Sequence, residues 1–129
     1  HYGCGGVIAS YEQRPLGLVD NWLLPIRDTA RAYAPQLAEL PTDLERADRL
    51  CELNVLEQTL NLCETTVVQD AWARQQEVVV HAWVYGLHNG LIVDLKLTVD
   101  GAAELAAAYG LALGALKQRY DAERKQGRP

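Results

Sequence analysis

Residues 78–85 set the terms for the fold. Val78-Val79-Val80-His81-Ala82-Trp83-Val84-Tyr85 is β-branched or aromatic on both alternating faces. A run of this kind predicts a strand buried on both sides, as in a parallel sheet sandwiched by helices. Gly86-Leu87-His88-Asn89-Gly90 reads as a turn. After it, Leu91, Val93, Leu95, Leu97 and Val99 alternate with Ile92, Asp94, Lys96 and Thr98. That alternation predicts a half-exposed edge strand, antiparallel to its predecessor. No other stretch reads as a strand. A two-stranded sheet with one strand apolar on both faces is not stable alone, so the pattern calls for neighbouring strands that this chain does not contain.

The rest of the chain reads as helix. Gly3-Cys4-Gly5-Gly6 is a glycine-rich bend that opens a short helix, broken at Arg14-Pro15-Leu16-Gly17. From about Leu18 to Ala34, a stripe of Trp22, Leu23, Ile26, Ala30 and Tyr33 predicts a helix with Pro25 near its start and Pro35 ending it. Thr42 with Glu45 has capping-box spacing, and Leu53, Leu56, Leu60 and Cys63 line one face of the helix that follows. Thr66 with Gln69 repeats the capping signature for a helix to about Arg74. Asp100 is placed to cap a last helix with Leu105, Tyr109, Leu113, Leu116 and Tyr120 inward, before a loose Gly127–Pro129 tail.

At 129 residues the chain suffices for one domain. Its 17 acidic and 12 basic side chains give a net charge of −5, which argues against a phosphate-binding face and hence against nucleic acid. The most apolar stretch, Ala102 to Leu116, is short and holds Glu104, so no membrane span is expected. Three cysteines without paired spacing point away from a disulfide framework and toward a reducing, cytoplasmic compartment. The sequence opens at His1 rather than Met, with no signal peptide in view. The expectation is a chain that was processed or cut, or whose upstream part was removed. No serine–histidine–aspartate signature, phosphate loop or dinucleotide fingerprint is present.

His1 and Cys4 are the one close pair of soft metal ligands. Imidazole nitrogen and thiolate sulfur both suit zinc, and a tight bend can aim both at one ion. Zinc wants four donors, or three and a water. On its own a His-x-x-Cys is matched by a plainer reading, a glycine turn beside a buried cysteine.

His1-Tyr2-Gly3-Cys4-Gly5-Gly6-Val7 resembles the second zinc motif of the β-class carbonic anhydrases, of bacterial type. Leu16-Gly17-Leu18-Val19-Asp20-Asn21-Trp22-Leu23-Leu24 resembles the next helix of that family. Leu50-Cys51-Glu52-Leu53-Asn54-Val55-Leu56-Glu57-Gln58 resembles its long central helix. His81-Ala82-Trp83-Val84-Tyr85-Gly86, followed by Asp94-Leu95, resembles its late strand pair. The likeness runs in order from residue 1 to about Leu97, so residues 1–129 read as the C-terminal part of a single domain of this family. The implied fold is α/β: a mainly parallel sheet flanked by helices, with a C-terminal edge strand, its N-terminal strands absent from this chain.

The resemblance implies zinc as cofactor and the reversible hydration of carbon dioxide to bicarbonate and a proton, with hydroxide from zinc-bound water as nucleophile. Zinc brings the pKa of such water to about 7, carbonic anhydrase itself being the reference case. Thiolate donors weaken that effect, so the implied optimum is alkaline. In the family two cysteines and one histidine hold the ion. His1 and Cys4 match the histidine and the second cysteine. The first belongs to an upstream Cys-x-Asp-x-Arg motif that this chain lacks, together with the aspartate and arginine that leave no catalytic residue of the family here. Cys51 and Cys63 fall in helical patterns and read as small buried hydrophobes. The implied partners are carbon dioxide and bicarbonate, a homodimer or homotetramer, and an N-terminal segment or companion chain.

Tyr85 matches a tyrosine that, in a bacterial subgroup, helps hold a regulatory bicarbonate; a core tyrosine at a strand end is the equal alternative. His81 reads as a satisfied core histidine, and His88 as a surface turn residue. Asp20, Arg27 and Asp28 read as a solvated face or an oligomer contact, and Glu52 and Glu57 as surface pairing partners. The contrasting functional reading is a non-catalytic fragment or scaffold without a complete zinc site. A different zinc lyase or hydrolase on the same scaffold is a third.

Overall fold

The computed structural model describes residues 1–125; the expected Gly127–Pro129 tail lies outside them. The elements run α1 (Gly5–Tyr11), a 3-10 turn (Gly17–Val19), α2 (Asp20–Ala32), α3 (Ala34–Ala38), α4 (Asp43–Cys63), α5 (Thr66–Ala73), β1 (Val80–Tyr85), β2 (Ile92–Val99), a second 3-10 turn (Ala102–Glu104) and α6 (Leu105–Lys125). By internal packing they divide into two units. One comprises residues 1–55 and 84–93, the other 56–83 and 94–125.

In the first unit, α1 packs on α2, and Val7, Ala9, Leu23, Leu37, Leu50 and Leu53 are buried. Arg27 reaches Asp20 at 2.6 Å and Arg31 reaches Asp28 at 2.7 Å, so the charges expected on this helix pair among themselves. Asp20 also accepts from Leu16 N–H at the start of α2. Two expectations fail here. Trp22 is 84% exposed rather than part of the inward stripe, because the apolar arc of α2 is wider than the face α1 covers. Pro35 does not end the helix. Tyr33, with φ −105° and ψ 16°, breaks it, and Pro35 sits in the first turn of α3, where a missing N–H costs nothing.

The capping box at the head of α4 is realised. Glu45 N–H donates to Thr42 Oγ1 at 3.2 Å, and Thr42 N–H donates to the Glu45 carboxylate at 3.0 Å. At α5 the cap is Thr65, one residue earlier than expected. Its hydroxyl accepts from Val68 N–H, while Gln69 turns aside to donate to the Cys63 carbonyl.

In the second unit, Leu56, Cys63, Val68, Ala71, Ala82, Leu95, Leu97, Val99, Leu105, Ala112 and Leu116 are buried. Truncating a buried leucine such as Leu56 or Leu97 to alanine costs about 2–5 kcal/mol. β1 and β2 pair as a two-stranded sheet across the Gly86–Gly90 turn. The expected strand begins at Val80 rather than Val78, and only one of its faces is buried. Ala82 and Val84 point inward, while Val79, Trp83 and Tyr85 are about half exposed. That open apolar face is what the sequence assigned to neighbouring strands. Lys96 adopts φ +64° in mid-strand, with its N–H on the Asp94 carboxylate at 2.8 Å. Asp100 does not cap the last helix; the second 3-10 turn opens at Gly101 without a side-chain cap. Tyr109, Leu113 and Tyr120 are only partly buried. Among the described residues no helix is long and apolar enough to cross a membrane.

Candidate metal centre

The loop from His1 to Cys4 is built on one left-handed residue. Gly3 has φ +71°, which an L side chain adopts only at a cost. The bend delivers Cys4 to the head of α1, where its carbonyl accepts from Ile8 N–H at 3.0 Å. The Cys4 side chain makes no capping bond, so its sulfur is not used to start the helix. His1 Nδ1 lies 3.0 Å from the Tyr2 carbonyl oxygen. A carbonyl only accepts, so Nδ1 carries a proton, and in the neutral imidazole Nε2 is then the nitrogen with the lone pair. That arrangement suits a ligand that binds through Nε2 with its other ring nitrogen held by a backbone acceptor.

One face of α4 holds this loop. Asp48, Cys51 and Glu52 stand at helical i, i+3 and i+4 spacing. Asp48 accepts from Gly3 N–H. The Cys51 thiol donates to the His1 carbonyl at 2.9 Å. The Tyr2 hydroxyl donates to the Glu52 carboxylate. Glu52 is 2% exposed, so the surface pairing expected for it is overturned; its partner comes from a loop fifty positions upstream. Glu57 is likewise engaged by the Tyr109 hydroxyl. Burial pushes the Asp48 carboxyl above its ordinary value against the pull of Gly3 N–H, and the neighbouring Glu52 adds to the rise. Burial also raises the Cys51 thiol.

Tyr2 N–H donates to the Tyr85 carbonyl at 3.1 Å, which ties the loop to the end of β1. The Tyr85 side chain is about half exposed. Its hydroxyl sits over the turn, 3.7 Å from where a Cβ on Gly90 would stand. The structure thus brings His1, Cys4 and the Tyr85 backbone to one place. His81 belongs to the second unit and is exposed rather than a core residue; it meets Thr98 Oγ1 at 2.9 Å and stacks on Trp83 at 4.7 Å. His88 is exposed in the turn and acts on the Asp48 carboxyl, opposing its rise. Cys63 is fully buried, and burial raises its thiol.

The donor chemistry at the loop fits zinc in two positions, since imidazole nitrogen and thiolate sulfur are the ion's commonest protein donors. Among the described residues, no group of three or more histidine, cysteine, aspartate or glutamate side chains is arranged to hold a metal. The residues that sequence reasoning missed are Tyr2 and Asp48, along with the burial of Glu52 and the bond made by Cys51.

Comparison with known proteins converges. Residues 1–92 match the family model for carbonic anhydrase. A carbonic anhydrase of Emericella nidulans is 38% identical over 115 residues, which is 88% of this chain and 50% of that protein. The Coccomyxa β-carbonic anhydrase, solved in complex with acetazolamide, superposes with a TM-score of 0.76 at 32% identity over 83% of this chain and 49% of its own. A β-carbonic anhydrase from Sordaria macrospora, one of two described as tetrameric, gives 0.69 at 29% identity, over 77% of this chain and 50% of its own. The β-carbonic anhydrase CafA of Aspergillus fumigatus gives 0.67 at 31%, over 90% and 52%. The chain spans about half the length of each relative.

Proposed function

This chain belongs to the β-carbonic anhydrase family, and we propose that it is the C-terminal part of a domain that hydrates carbon dioxide reversibly to bicarbonate and a proton, with zinc as cofactor. Its fold is the corresponding part of that family's α/β architecture. The observation that carries the functional reading is the family match over residues 1–92, which includes the short loop that carries both His1 and Cys4.

In this reading His1 would hold the ion through Nε2 and Cys4 through its sulfur. The remaining protein donor comes from a segment that the relatives' additional length accommodates. Zinc held by these residues would supply Lewis-acid chemistry to the reaction. The chain's own share is to fix the two donors. The Nδ1–H bond to the Tyr2 carbonyl orients the imidazole, and the left-handed Gly3 sets the bend between the donors.

Two further parts of the reading concern partners. Tyr85 is proposed to contact a regulatory bicarbonate; its half-exposed phenol on the open face of β1 supports that role. A homo-oligomer is proposed from the tetrameric Sordaria enzymes and from the apolar surface around Leu18 and Trp22, which are 87% and 84% exposed. The test of the activity is stopped-flow hydration of carbon dioxide with zinc counted per chain. The chain joined to a family N-terminal half is expected to be active and to lose activity in His1→Ala. A parent that holds no zinc and hydrates no carbon dioxide overturns the reading and favours a non-catalytic role, while a His1→Ala variant as active as its parent overturns His1 as a ligand.

A further inference from the structure

The ligand loop is clasped at successive points, and each clasp comes from outside the pair of donors. The His1 carbonyl accepts from the Cys51 thiol at 2.9 Å. Tyr2 N–H donates to the Tyr85 carbonyl at 3.1 Å. The Tyr2 hydroxyl donates to Glu52, and Gly3 N–H donates to Asp48. Three of the four clasps come from a single face of α4, within the same unit as the loop. Burying a carboxylate such as Glu52, at 2% exposure, is costly unless hydrogen bonds compensate it. A hydrophobic residue would pack the interior more cheaply. What the carboxylate adds is direction: it fixes the Tyr2 ring, and the Tyr2 backbone lies between the two donors.

We propose that Glu52, acting through the Tyr2 hydroxyl, and Cys51, acting through the His1 carbonyl, are positioning residues that hold in place the loop carrying His1 and Cys4. The inference rests on the reading of His1 and Cys4 as zinc ligands. Groups behind the ligands change metal affinity by about 10- to 100-fold when altered, because a ligand that wanders must be ordered again on binding.

α4 supplies an internal control. Glu57 is bonded by the Tyr109 hydroxyl in the same manner, within the unit that holds neither donor. Loss of that bond removes the same kind of contact from the same helix and leaves the ligand loop untouched.

The experiment is titration of the full chain with cobalt(II), read by its thiolate charge-transfer absorption, for wild type, Tyr2→Phe, Glu52→Gln, Tyr109→Phe, Glu57→Gln and Cys4→Ser. The expected result is loss of the band in Cys4→Ser, about tenfold or greater weakening in Tyr2→Phe and Glu52→Gln, and less than about twofold change in the Tyr109 and Glu57 variants. Glu52→Gln keeps the volume but exchanges the charge-assisted bond from the Tyr2 hydroxyl for a weaker neutral one, so it keeps the test open if Tyr2→Phe does not fold. Wild-type binding in both Tyr2→Phe and Glu52→Gln overturns the inference and leaves the ligand reading intact. Equal weakening by the Tyr109 and Glu57 variants also overturns it, since the effect is then general stability. A band unchanged in Cys4→Ser overturns the ligand reading, and the inference with it.

Discussion

The Cys51 thiol donates to the carbonyl oxygen of His1 at 2.9 Å, so a residue in mid-helix supports the backbone of a metal-ligand candidate from behind. The three thiols therefore differ in accessibility. Cys51 and Cys63 are buried, and burial raises both above the ordinary thiol range; Cys4 is half-buried. Alkylation proceeds through the thiolate. With iodoacetamide near pH 8, Cys4 is expected to label first, and Cys51 and Cys63 only in denaturant. Peptide mass mapping against time reads the order. Prompt labelling of Cys51 in the folded chain would contradict its placement.

The caps of α4 and α5 give a sharper test of local structure. Thr42→Ala removes the acceptor for Glu45 N–H and is expected to cost about 1 kcal/mol. Thr65→Ala is expected to cost about 0.5–1 kcal/mol, whereas Thr66→Ala changes stability by less than about 0.5 kcal/mol. Urea midpoints of the three variants decide which threonine is the cap.

Those caps show what a single sequence makes legible. The Thr42–Glu45 box depends on residues three apart, and it was readable because its physics is local. The glycine bend between His1 and Cys4 was readable for the same reason, and Gly3 takes the positive φ that such a bend asks for. Glu52 was not: a glutamate on a helix reads as surface, and the tyrosine that justifies its burial lies fifty positions away. Periodicity placed Trp22 on an apolar arc, but it does not say how much of that arc a neighbour covers. The left-handed Lys96 carried no signal either, since nothing in lysine favours positive φ. The alternation of β2 did predict which of Leu95, Leu97 and Val99 are buried, because a period of two leaves only one choice of face.

Asp48 yields a pH dependence of defined sign. Its folded-state value lies above the ordinary 3.8, with burial as the main cause. The folded state therefore favours the protonated form, and ionising Asp48 costs stability. That cost is fully present above the raised value and vanishes below about 3.8. Asp48→Asn retains an acceptor for Gly3 N–H without the charge. It is expected to be more stable than wild type at pH 7, with the difference shrinking as pH falls toward 3.8. Denaturation curves at several pH values read this; a gap that widens on acidification contradicts the assignment.

The exposed indole of Trp22 predicts assembly. At 84% exposure it contributes little to the fold of its own unit, so Trp22→Asp is expected to leave helicity and thermal midpoint nearly unchanged. Sedimentation velocity is expected to show a smaller species than wild type at the same concentration. An unchanged sedimentation coefficient would assign assembly to another surface.

The account stands on His1 and Cys4 holding one zinc ion. X-ray absorption at the zinc edge, on the chain loaded with one equivalent, reports the donors themselves. The expected spectrum contains a sulfur neighbour at about 2.3 Å and a nitrogen neighbour at about 2.0–2.1 Å. Cys4→Ser should abolish the sulfur shell and His1→Ala should diminish the nitrogen shell. A sulfur shell that survives Cys4→Ser, together with a nitrogen shell unaltered in His1→Ala, would contradict the account.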